Sequence, residues 1–192
     1  MIQMQEPANR ISAILATVER GLVALSSASM GIIMLIVVID VTMRYLFNAP
    51  LSWSYNLIGL YLMVAVFFFA LSDTLHNHGH IAIDIFQYKL PTVVRHVSMT
   101  VGYLLSTAIM ALISWQAWIR LQSAYLSDDR IAAAIPWPTW ISYFIVVVGG
   151  IAITLRCLYR MVGHAASAAT GRELVETPMP PETELSPTEM AE

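Results

Sequence analysis

Four stretches of the chain carry no Asp, Glu, Lys or Arg: 21–39, 45–72, 96–119 and 131–155, with lengths of 19, 28, 24 and 25 residues. Their interiors are rich in Leu, Ile, Val, Met and Phe, as in MGIIMLIVVI, LYLMVAVFFFAL and YFIVVVGGIAI. A bilayer core about 30 Å thick needs roughly 20 helical residues at about 1.5 Å each. All four runs are of that order, and the alternation with polar positions that a membrane β-barrel requires is missing. Lipid forces each segment to satisfy its own backbone hydrogen bonds. The pattern therefore predicts an all-α integral membrane protein with four transmembrane helices, at about 21–43, 51–73, 94–119 and 137–160.

Composition agrees. The chain has 192 residues, 57% of them hydrophobic and only 12% charged, where a soluble domain carries about 25% charged residues. A freely soluble enzyme is excluded on that ground. One cysteine, Cys157, rules out an internal disulfide framework and CxxC-type redox or zinc motifs. A net charge of −3 without a basic cluster speaks against nucleic acid as a partner. The first run is too long for a signal-peptide core and follows both acidic and basic residues, which fits a retained anchor helix.

Three regions follow. Residues 1–20 form a cytoplasmic lead-in with Ile11, Ile14, Leu15 and Val18 at helical spacing. Residues 21–163 form the four-helix membrane domain. Residues 164–192 form an acidic cytoplasmic tail, whose stretch beyond Arg172 holds six Glu, four Pro and no aromatic residue, too little apolar surface to order itself. Between helices 2 and 3, HNHGHIAIDIFQYKLP sets Ile81, Ile85 and Tyr88 on one stripe, which predicts an amphipathic helix lying along the membrane interface.

Basic residues give the orientation. Arg10, Arg20, Lys89, Arg95, Arg156, Arg160 and Arg172 fall on the side of the termini, and Arg44, Arg120 and Arg130 on the other. Seven against three places both termini in the cytoplasm. All five tryptophans then belong to the outer side: Trp53 begins helix 2, Trp115 and Trp118 end helix 3, and Trp137 and Trp140 begin helix 4. An aromatic belt at the headgroups explains tryptophans in general. Their restriction to one face leaves a docking surface as a second reading.

Few residues offer chemistry. Asp40 and Arg44 are four apart on helix 1 and can pair, fixing the helix end or contacting a partner. No other acid is expected in a spanning segment, so a buried carboxylate of the kind used for proton coupling is not expected either. His76, His78 and His80 read as a solvated loop rather than a metal site, because no second ligand cluster completes one. The five histidines, His76, His78, His80, His96 and His164, all lie at helix ends, which disfavours axial haem ligation inside a bundle. There is no nucleophile–base constellation and no phosphate-binding loop, so no enzyme and no cofactor is expected. Ala24/Ala28, Ser27/Gly31, Gly102/Ser106 and Gly149/Gly150 permit close helix approach, with packing inside the bundle the favoured reading.

Taken in order, DVTMRYLFNAPLSW (Asp40 to Trp53), HGHIAIDIFQYKLP (His78 to Pro91) and the Pro136–Trp137 pair resemble the DctQ-like family. This is the small membrane subunit of tripartite ATP-independent periplasmic (TRAP) transporters. The resemblance covers roughly residues 15 to 162. It implies four helices with both termini inside and a multi-pass place in the bacterial inner membrane. It also implies an accessory role: a periplasmic binding protein captures an organic acid, a large membrane subunit moves it using a sodium gradient, and the small subunit supports the large one and helps dock the binding protein. Arg44, Asn48, Trp53, His80 and Asp84 match the family's pattern and are carried over as structural or interface positions, beside Asp40, Trp137 and Trp140. The chain departs from the family at Ser54, Tyr55 and Asn56, where members commonly carry glutamates. The alternatives are a tetraspan anchor of a membrane oxidoreductase, with or without haem b, and a stand-alone small transporter.

Overall fold

The computed structural model describes residues 10–76, 92–133 and 135–170. It is built from α1 (Arg10–Phe47), α2 (Ser54–Leu57), a π-helical turn (Ile58–Leu62), α3 (Met63–His76), α4 (Thr92–Leu126), β1 (Arg130–Ile131), β2 (Trp137–Pro138) and α5 (Trp140–Thr170). The segment α2–π–α3 is one continuous rod. Four helical stretches are long and apolar enough to cross a membrane: Ala13–Phe47, Ser54–Leu75, Val94–Leu126 and Trp140–Ser167. The all-helical, four-span architecture expected from the charge-free runs is present, with one addition. The α4–α5 connection contains a two-residue antiparallel ladder pairing Arg130 with Pro138 and Ile131 with Trp137. The interfacial helix expected between the second and third spans, with His80 and Asp84 on it, lies outside the described residues.

The helices pack in the order α1, α3, α5, α4. Central α5 is the most buried of the four, whereas α4 packs against α5 and shares no substantial interface with α1. This is a row of helices rather than a closed bundle. Two broad apolar faces are left outward, with Leu35, Val38, Leu105 and Leu112 among the exposed side chains. Lipid solvates such faces without cost, so membrane helices need no common core.

Each helix extends beyond its charge-free run. α1 continues without a break across residue 20 to Arg10, and α4 continues past Arg120 to Leu126. Trp115 and Trp118 therefore sit two to three turns before the end of α4, not at its end as the sequence suggests. A charge stops a hydrophobic run but does not stop a helix, because Arg and Glu are good helix formers.

The stops are local. Asn48 adopts a left-handed backbone (φ 55°), a conformation that Asn tolerates better than most residues, and Pro50 follows. Asp128 (φ 48°) ends α4 in the same way. Gly149 and Gly150 set the closest approaches of α5. A Cβ on Gly149 would lie 2.6 Å from the Phe68 carbonyl oxygen of α3, and one on Gly150 would lie 2.3 Å from Ser114 Oγ of α4. One glycine thus serves each neighbour. The other small residues proposed for internal packing do not pack inside this chain. Ala24, Ser27, Ala28, Gly31, Gly102 and Ser106 are exposed, and Gly31 and Gly102 have open space where a Cβ would stand.

Candidate functional site

Polar chemistry gathers at the two ends of the row. On α1, Glu19 and Asp40 stand 21 residues apart, about 31 Å of helix, which matches the thickness of a bilayer core. Asp40 marks the hairpin end, where the α1–α2 and α4–α5 connections lie. Glu19 marks the terminal end, near the start of α1 and the end of α5.

At the hairpin end Asp40 holds two partners. Arg44 Nη2 donates to Asp40 Oδ2 at 2.6 Å, and the backbone N–H of Leu51 donates to Oδ1 at 2.7 Å. The carboxylate is mostly covered and the guanidinium more than half exposed (13% and 58%). Asp40 thereby ties the turn after Asn48 back onto α1. Trp53 precedes the first turn of α2, Ser54 is buried with its hydroxyl donating to the Leu51 carbonyl at 2.8 Å, and Tyr55 is fully outward.

The π turn receives the α4–α5 connection. A π turn replaces i→i+4 by i→i+5 hydrogen bonding and is often found at functional positions. Tyr61, within the turn, donates its hydroxyl to the Pro138 carbonyl at 2.6 Å, and Ser142 Oγ donates to the Leu60 carbonyl at 2.7 Å. Trp137 lies edge-on to Tyr61, and Trp140 edge-on to Tyr125. Thr139 closes the loop by donating its N–H to the Asp129 carbonyl at 3.0 Å. The structure therefore brings Asp40, Arg44, Asn48, Trp53, Trp137 and Trp140 to the same end of the molecule. His80 and Asp84 are not among the described residues.

The terminal end holds what the sequence reading missed. Glu19 is buried, contrary to the expectation that no further carboxylate lies within the helical spans. Arg156 of α5 grips it with two N–H groups of its guanidinium: Nε donates to Oε1 at 2.8 Å and Nη2 donates to Oε2. Ser72 of α3 donates to Oε1 at 2.5 Å. Three helices meet on one carboxylate. Arg160, two turns before the end of the described α5 side chains, is buried as well. Further along, His96 of α4 and His164 of α5 touch through their Nδ1 atoms at 3.2 Å, with Tyr103 stacked on His164. These two histidines are at helix ends in sequence but inside the protein in space. Direct contact between their rings leaves no room for a haem plane between them. Among the described residues no group of three or more His, Cys, Asp or Glu is placed to hold a metal ion.

A signal for this cluster existed. On α1 the inward positions 19, 22, 26, 33, 36 and 40 recur at spacings of three, four and seven, so Glu19 is in register with Leu22, Ser26 and Ile36. On α5, Arg156, Arg160, His164 and Ser167 continue the stripe that begins with Gly149 and Ile153. A charge in phase with the packing seam belongs to the interior, whatever the local hydropathy.

The sequence matches the model of the family described as tripartite ATP-independent periplasmic transporters, DctQ component, over residues 33–167. No curated protein and no solved structure matches it.

Proposed function

Because this chain belongs to the DctQ component family of tripartite ATP-independent periplasmic transporters, we propose that it is the small permease that pairs with a large membrane subunit and holds it in place. Membership makes it a component of a transporter rather than an enzyme, a multi-pass membrane protein that associates with other TRAP components. In the fuller reading it lies in a bacterial inner membrane with both termini cytoplasmic. There it supports sodium-gradient-driven uptake of an organic acid delivered by a periplasmic binding protein.

The open row of helices is the observation that carries the accessory role. Its carboxylates are engaged in holding the fold: Glu19 is taken up by Arg156 and Ser72, which joins three helices, and Asp40 by Arg44 and the Leu51 N–H, which ties down the turn after α1. Its wide apolar faces suit lipid on one side and a larger membrane protein on the other. The seven-to-three distribution of basic residues supports cytoplasmic termini. The hairpin end would then face the periplasm. Trp53, Trp137 and Trp140 on that end supply rigid amphipathic surface of the kind found at protein interfaces, and we assign them to docking the binding protein. Residues 78–91, with His80 and Asp84, are assigned to the cytoplasmic interface.

Co-purification tests the pairing. Tagged chain, expressed with its neighbouring open reading frames, should bring down a much larger multispanning protein. Recovery of this chain alone, folded and intact, would sink the accessory reading. Uptake by this chain alone in liposomes would instead favour a stand-alone transporter.

A further inference from the structure

α4 is the least buried of the four spans and meets the rest of the molecule mainly through α5. The side turned away from α5 carries Gly102, Leu105, Ile109, Leu112, Gln116 and Arg120, all six exposed. Their spacings of three and four make one continuous stripe along the helix. Two members are polar, and neither finds a partner in this chain. Among the described residues, Gln116 makes no hydrogen bond and Arg120 no ion pair. By contrast Thr100, Thr107 and Ser114 of the same helix donate back to its own carbonyls at 2.7–2.8 Å.

A ladder of contacts across the row fixes the depth of Gln116. Ser26 of α1 donates to the Val66 carbonyl of α3, Gly149 of α5 lies against Phe68 of α3, and Gly150 lies against Ser114 of α4. Ser26 is about 10 Å of helix from Glu19 and about 21 Å from Asp40. Gln116, two residues beyond Ser114 toward the hairpin end, is therefore well inside the zone that those two carboxylates bracket.

Hydrocarbon offers a carboxamide nothing to bond, and a polar group left there without a partner costs several kcal/mol. Arg120 has a long stem along which its charge reaches toward the headgroups. The side chain of Gln116 is shorter and starts one turn deeper. In a membrane such a group is satisfied across helices, by an acceptor or donor on a neighbouring helix, and small residues at the same face let the backbones approach. Gly102, with open space where a Cβ would stand, is such a residue on the same stripe. Acyl chains could fill that space but could not answer Gln116.

We infer that this stripe is where the large membrane subunit covers the chain, with one of its spanning helices lying along residues 102–120 and presenting acceptors to Gln116 and Arg120. The inference rests on the pairing proposed above and adds the place of contact: the outer side of α4, at the far end of the row from α1. The cation of Arg120 selects a helix that carries a carboxylate or a free carbonyl at that level.

The test co-expresses the full-length chain with a separately tagged large subunit from the neighbouring open reading frames. A photo-reactive benzoylphenylalanine replaces Gln116 in one variant and Leu112 in a second, in case the first disturbs assembly. Irradiation should link either position to the large subunit. Gln116→Leu should leave the thermal stability of the isolated chain unchanged and weaken its hold on the large subunit about threefold to tenfold, the worth of an interhelical hydrogen bond. If the unsubstituted chain recovers the large subunit but both positions link only to lipid, or to a second copy of this chain, the inference is overturned. Equal retention by Gln116→Leu overturns it too. Failure of the unsubstituted chain to recover the large subunit would instead remove the pairing itself, and this inference with it.

Discussion

Glu19 and Arg156, 137 positions apart in the chain, form a buried two-point ion pair that joins the first helix of the row to the central one. Neither group is at the surface, so each depends on the other for compensation. Removing one partner of a buried pair typically costs about 3–5 kcal/mol, whereas replacing both by apolar residues is often close to neutral.

Glu19→Leu alone is thus expected to destabilise the chain by roughly 3–5 kcal/mol, and Glu19→Leu with Arg156→Leu to recover most of that loss. Cys157, buried and the single cysteine of the chain, supplies the readout. Its maleimide labelling in mild detergent should be fast in the single variant and slow in the double. Equal labelling in both would show that the pair contributes nothing to joining the helices.

The two adjacent glycines of α5 should respond differently to alanine. At Gly149 the new methyl meets the backbone carbonyl of Phe68, which cannot move without shifting α3. At Gly150 it meets the hydroxyl of Ser114, which can rotate away. Gly149→Ala should cost about 1–3 kcal/mol, the usual range for overpacking, and Gly150→Ala less. Gly31→Ala and Gly102→Ala face open space in mid-helix and should stabilise the isolated chain by about 0.5–1 kcal/mol, the helix-interior gain of Ala over Gly. Thermal unfolding of the four variants in one detergent compares them directly.

Asp40 and Arg44 should also be unequal, although they form one ion pair. Asp40→Ala leaves both Arg44 and the Leu51 N–H without their acceptor, an expected loss of about 1–3 kcal/mol. Arg44→Ala removes a mostly exposed partner, which is worth about 0–1 kcal/mol. Proteolysis of the α1–α2 connection should accelerate in Asp40→Ala and hardly change in Arg44→Ala.

Tyr61→Phe deletes the hydroxyl that holds the Pro138 carbonyl while keeping the ring against Trp137. The expected cost is about 0.5–1.5 kcal/mol. It should be seen as faster backbone hydrogen exchange across 129–139 with the helices unchanged. Slower or equal exchange there would mean that the ladder and Thr139 hold the loop without the π turn.

Much of the architecture is legible along the chain. Lipid imposes one rule, that backbone hydrogen bonds close within each segment, and a segment that obeys it must be long, apolar and nearly free of charge. Four such segments can be read from the sequence without knowing their neighbours, and so can the Asp40–Arg44 pairing, since four residues make one helical turn. The ends of the helices are less legible. Glu19, Arg120 and Arg156 interrupt hydropathy without interrupting the helix, and only the backbone at Asn48 and Asp128 shows where turns begin.

What the tertiary structure decided is which neighbours meet. The sequence leaves Glu19 and Arg156 just outside the charge-free runs and His96 and His164 at helix ends. Packing α1, α3, α5 and α4 in a row carries all four into the interior and pairs them. It likewise distinguishes Gly149 and Gly150, which let α3 and α4 approach α5 closely, from Gly31 and Gly102, which have open space where a Cβ would stand. Hydropathy is a property of a residue and its near neighbours. Burial depends on which helix face lies against another, and that is fixed by contacts between residues far apart in the chain.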